Sequence, residues 1–210
     1  MTEEQQRIFW AFIRGDMPGP QFEKWLFVQS GLDQSLGEQR HQELLFANYS
    51  NRDEVWSLRQ MLKPLLDADQ QCECLSLRDL AVIRMGGDFY SERVFEHFDT
   101  VIDHGPEKWW LYLSHCHTCA QDWMIAQDER IYDNFYLRRI LPSVRQAVEQ
   151  EGQWPNEFLT YEQVLRLGRT MSEPWTFLDP RSPGLVHTAE DLRRERPDIS
   201  VAEIAYLDRK

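Results

Sequence analysis

Apolar residues recur at helical spacing through the first third of the chain. Ile8, Phe9, Phe12 and Ile13 form one stripe behind a Thr2-x-x-Gln5 capping box, which predicts a helix over residues 2–14. The breaker run 15–20 ends it, and Pro20 sits where a following helix favours its first residue. Phe22, Trp25, Leu26 and Gln29 continue that second helix. Leu44, Leu45 and Tyr49 belong to a third, and Asn51-x-x-Glu54 opens a fourth with Val55, Leu58, Leu62 and Leu65 along one face. This predicts four helices ending near Leu66, followed by a polar linker over 67–74. Residues 75–85 are apolar-rich and stop at Gly86-Gly87; their pattern fits helix and strand equally.

Beyond that point the periodicity changes. Residues 109–129 hold two mixed apolar runs around a Cys-x-x-Cys turn and read as a β-hairpin whose turn lies near His115 to Ala120. Residues 131–141 read as a third strand. The expected sheet is an antiparallel meander of segments near 109–115, 121–128 and 133–140. Pro142 opens a helix to about Glu151. Thr160-x-x-Gln163 caps another, with Val164 and Leu167 inward and Gly168 as its stop. Residues 171–184 read as an ordered loop pinned by Trp175 and Phe177. Thr188-x-x-Asp191 and Ser200-x-x-Glu203 cap two short helices separated by Pro197. The fold class is therefore α+β: a helical N-terminal region (1–68) packed on a region (69–210) with a small antiparallel meander and flanking C-terminal helices.

Composition narrows the function classes. With 42% hydrophobic residues, the 210-residue chain can build a sizeable core and is not a disordered acidic tail. Its net charge of -12 repels nucleic acid and anionic membrane surfaces and attracts basic proteins. The C-terminal helix pair outlines a helix-turn-helix, but residues 201–207 carry Glu203 where a recognition helix needs Lys or Arg. No secretory leader opens the chain and no run approaches a membrane span, so the expected location is the cytoplasm, with reduced thiols.

Candidate chemistry is sparse. Asp88, Glu92, Glu96, Asp99 and Asp103 step by four, four, three and four; on a helix over 88–103 they make one acidic stripe beside Val94, Phe95, Phe98, Val101 and Ile102. Like charges at that spacing cost about 0.2–0.5 kcal/mol per pair, so the stripe is a candidate docking face for a basic protein. Asp122, Trp123, Asp128 and Glu129 form a second patch joining acids to an aromatic anchor. Cys116-x-x-Cys119 suits one half of a zinc knuckle, although Ala120 stands where knuckles often carry Gly. Cys72-x-Cys74, or His115, His117, His97 and His104, could supply the other half of a structural zinc site. Two thiols merely flanking a turn is the simpler expectation, with no cofactor. No Gly-x-Ser-x-Gly, Walker loop or His-Glu-x-x-His occurs, and Glu92 and Glu96 lack the Glu-x-x-His of di-metal bundles, so no catalytic residue is expected.

The Phe22-Glu23-x-Trp25-Leu26 helix, the hairpin over 109–121 and Arg130-Ile131-Tyr132-Asp133 resemble small bacterial immunity proteins of polymorphic toxin, contact-dependent or type VI secretion systems. The resemblance implies a cytoplasmic, non-catalytic inhibitor of one cognate toxin, a basic nuclease being the natural target of an acidic face. The alternative reading is a small zinc-binding or regulatory module built on the Cys-x-x-Cys hairpin.

Overall fold

A computed structural model describes residues 1–67, 71–86, 89–171 and 183–208. The chain divides into two compact units, Met1–Arg78 and Asp79–Lys210. The first is helical: α1 (Glu3–Arg14), α2 (Gly19–Leu26), α3 (Leu32–Leu36), α4 (Glu38–Phe46) and α5 (Arg52–Asp67). The described residues of this unit thus hold five helices where four were expected, because a short helix, α3, fills the stretch between Gly31 and Gly37. The local signals explain the boundaries. Thr2 and Gln5 form the capping box, and left-handed Gly15 closes α1. Asn51 Oδ1 accepts from the backbone N–H groups of Asp53 and Glu54 at 2.9 and 3.4 Å, which starts α5.

The core of this unit is aromatic. Phe12 stacks on Phe22 with ring centroids 4.0 Å apart, Phe9 meets Phe22 edge-on, and the Arg59 guanidinium lies over Phe12. Tyr49 lies outside the helices and donates its hydroxyl to the Leu44 carbonyl at 2.8 Å. A 3-10 turn, Glu73–Leu75, follows; Arg14 Nη1 on α1 donates to the Leu75 carbonyl at 2.8 Å and anchors it.

The second unit is built on β1 (Leu80–Arg84), β2 (Phe98–Asp103), β3 (Leu111–Cys116), β4 (Asp122–Asp128) and β5 (Asn134–Ile140), in the order β1-β5-β4-β3-β2 with every pair antiparallel. The meander is the expected one; β1 and β2 extend it at its two sides. Alternation then assigns the faces. Leu111, Leu113, Met124, Ala126 and Tyr136 join one buried cluster with residues of α7 (Pro142–Glu151), α8 (Tyr161–Met171), α9 (Pro183–Glu195) and α10 (Val201–Leu207). Trp123 and Phe135 take the other face, where Phe98 stacks on Trp123, Phe95 meets Phe135 and the Arg139 guanidinium covers Trp123.

Three expectations are corrected. Residues 88–103 are not one helix: α6 spans only Tyr90–Phe95, and β2 begins at Phe98. The consecutive β-branched residues Thr100, Val101 and Ile102 favour a pleated strand over a helix. Gly168 does not stop α8 but lies inside it, where a Cβ would overlap the Tyr132 ring and the Tyr136 hydroxyl. Thr188 caps nothing; it is buried within the continuous α9. Asp88 of the acidic series and the loop residues Trp175 and Phe177 lie outside the described residues.

Candidate functional site

The candidate site comprises the β3–β4 turn and the β2 edge beside it. The four described acids of the expected stripe are exposed, but they belong to different elements. Glu92 lies on α6, Glu96 caps its end, and Asp99 and Asp103 lie on β2. The pairing of β2 with β3 slips between Thr100 and Ile102, so Asp99 faces His115 while Asp103 faces Tyr112. Cross-strand partners share a sheet face, and His115 and Tyr112 lie on opposite faces. The bulge therefore sends the two aspartates to opposite sides of the outermost strand. Burial, reinforced by the charge of Asp103, pushes the Tyr112 hydroxyl well above its ordinary pKa.

The second expected patch is not a surface. Trp123 and Asp128 are wholly buried and Asp122 nearly so; only Glu129 is exposed. Asp122 accepts from Arg145 Nη1 at 2.9 Å and lies 2.7 Å from His115 Nδ1, while Arg145 also reaches Glu149. These charges, Glu149 foremost, hold the Arg145 guanidinium firmly protonated. The Asp128 carboxylate accepts from the backbone N–H groups of Arg130, Ile131 and Tyr132, at 3.1, 3.2 and 3.1 Å, and from the Tyr161 hydroxyl at 2.7 Å. Burial pushes Asp128 upward in pKa, and these four donors oppose the rise. Asp122 therefore fastens α7 to the hairpin, and Asp128 shapes the β4–β5 turn. The alternating pattern of β4 cannot reveal this, because both of its faces are buried.

The hairpin turn carries the thiols. Cys116 ends β3 and is buried, whereas Cys119 is exposed. The Ala120 N–H donates to the Cys116 carbonyl at 2.9 Å, and the Cys116 N–H to the Gln121 carbonyl at 2.9 Å. Ala120 has φ 60°, the left-handed conformation that costs a residue with a Cβ roughly 1–2 kcal/mol. The backbone shape for which knuckles use Gly is thus present without the Gly. His97 braces the turn: its carbonyl accepts from the His117 N–H at 3.0 Å and its Nδ1 lies 3.0 Å from Thr118 Oγ1. His117 Nδ1 stands 3.4 Å from Asp99 Oδ2, linking the turn to the acidic edge.

Cys72 and Cys74 flank Glu73 at the 3-10 turn, and both are buried. Ser76 secures that turn by donating to the Glu73 carbonyl from its hydroxyl at 2.8 Å and from its backbone N–H at 3.0 Å. None of the four cysteines is in a disulfide. The Cys-x-Cys pair belongs to the first unit and the Cys-x-x-Cys pair to the second.

Comparison of the chain with protein-family models, curated proteins and solved structures gives no match. No helix among the described residues is long and apolar enough to cross a membrane.

Proposed function

We propose that the chain is a non-catalytic binding protein that captures a basic protein partner along the β2 edge, in the manner of an immunity protein neutralising a toxin. The observation that carries this reading is the placement of four exposed acids at the outermost strand: Glu92 and Glu96 lead into it, and Asp99 and Asp103 present a carboxylate on each of its faces. Among the described residues, β2 is terminal in the sheet, and one row of its backbone donors and acceptors has no neighbouring strand. A partner segment adding there gains main-chain hydrogen bonds, and its Lys or Arg side chains meet an acid on either face. The net charge of -12 steers such a partner from a distance, an effect that salt screens.

The test uses the protein encoded beside this gene. Co-expression is expected to relieve its toxicity, and calorimetry is expected to show a complex whose affinity falls with salt. The Asp99→Lys/Asp103→Lys variant, shown to be folded, should bind at least about tenfold more weakly. An absence of binding, or an unchanged Kd in that variant, overturns the reading.

A further inference from the structure

We infer that Arg59 and Arg78 of the first unit bind a phosphate-class oxyanion above Gly15, where α1 ends. Both guanidinium groups converge on that glycine: a methyl group built on it would lie 3.6 Å from Arg59 Nη1, 3.7 Å from Arg59 Nη2 and 3.6 Å from Arg78 Nη2. Gly15 is exposed and left-handed, so the residue its φ of 86° favours also leaves the space between the two arginines to a ligand. Two like charges gathered at one point repel each other. Among the described residues of this acid-rich chain no carboxylate pairs with either of them. The acid beside Gly15, Asp16, is taken by Arg14 at 2.7 Å. Burial first, and the charge of Arg78 second, push the Arg59 guanidinium below its ordinary pKa. Packing holds that group in place: it lies 5.1 Å from the Phe12 ring centroid, and its Nε is buried with no hydrogen-bond partner. Arg78 is fixed by donating Nε to the Arg14 carbonyl at 3.0 Å. Capping the negative end of α1 accounts for Arg78 but not for Arg59, because the Ala11 and Phe12 carbonyls already accept from the Met17 and Gly15 N–H groups. An oxyanion between the two forks accepts charge-assisted hydrogen bonds from both and cancels their repulsion. Phosphate suits the pair better than a carboxylate, since its charge approaches two and its oxygens point in more directions. The net charge of -12 repels anions at long range, so contact geometry sets the affinity. The pair lies wholly within the first unit and is independent of the partner-binding reading of β2.

The experiment titrates sodium phosphate into the isotope-labelled full-length protein at neutral pH, holds ionic strength constant with sodium chloride, and follows the Gly15 amide by NMR. The expected result is a saturable shift with half-saturation at about 1 mM phosphate, as suits a few exposed charge-assisted contacts. Arg78→Gln changes an exposed side chain and should weaken binding at least about tenfold. Arg59→Met keeps an apolar stem over Phe12 and should do the same. Where that variant does not fold, Arg59→Lys takes its place: it keeps the charge but not the fork, and should weaken binding several-fold. Arg52→Gln, at an exposed position of the same unit, should leave the titration unchanged. Phosphoserine as a second probe separates the sources. Tighter binding than inorganic phosphate identifies a phosphorylated organic molecule as the ligand, and equal or weaker binding identifies the free ion. A shift that chloride alone reproduces, an unchanged response in Arg78→Gln, or acetate binding as tightly as phosphate overturns the inference.

Discussion

Single positions show how closely the second unit is packed. Gly168 lies inside α8, where its lack of a Cβ admits the Tyr132 ring and the Tyr136 hydroxyl. Gly168→Ala is expected to lower stability by about 1–3 kcal/mol, the usual range for forcing an extra group into a filled core, as read by urea unfolding. An unchanged denaturation midpoint would show that the tyrosines move aside. Glu203 behaves oppositely, because it is held by charge and capping rather than by shape. Arg196 Nη2 donates to it at 2.6 Å, and Ser200 donates from both its backbone N–H and its hydroxyl. These bonds, that of Arg196 first, lower its pKa to about 2. A depressed carboxyl pKa stabilises the fold above the unfolded-state value and loses that contribution as pH falls towards the folded one. The start of α10 is therefore expected to fray as pH drops from the ordinary glutamate range to about 2. A carbon-13 titration of the Glu203 carboxyl checks this, and a midpoint at the ordinary glutamate value would refute it.

At the scale of elements, the legible parts were those with local punctuation. Capping boxes at Thr2 and Ser200 and Pro142 after β5 mark helix starts that short-range chemistry fixes by itself. The hairpin is legible from its Cys-x-x-Cys turn and the mixed apolar runs on either side of it. The apolar positions over 88–103 satisfy a helical period locally, whereas β2 is chosen by its pairing with β3, which lies beyond the reach of that period. Terminal strands invite pairing with other copies, and charged side chains discourage it. Replacing Asp99 and Asp103 together by Val is accordingly expected to produce concentration-dependent self-association in light scattering. A variant that keeps its original mass at high concentration would show that the bulge alone protects the edge.

For the whole molecule, the net charge of -12 sets how the proposed partner would be met. No single exposed ion pair matters much here: one such as Arg166 with Glu162 contributes about 0–1 kcal/mol. The summed charge acts instead over distance, and salt screens it beyond about 10 Å at 0.1 M ionic strength. Its effect therefore resides in the association rate and its salt dependence, not in the lifetime of the complex. Association with the proposed basic partner is accordingly expected to slow at least about tenfold between low and high salt while dissociation changes little. Stopped-flow mixing over a range of sodium chloride concentrations measures both rates. An association rate that does not change with salt would show that the acidic balance serves solubility and not encounter.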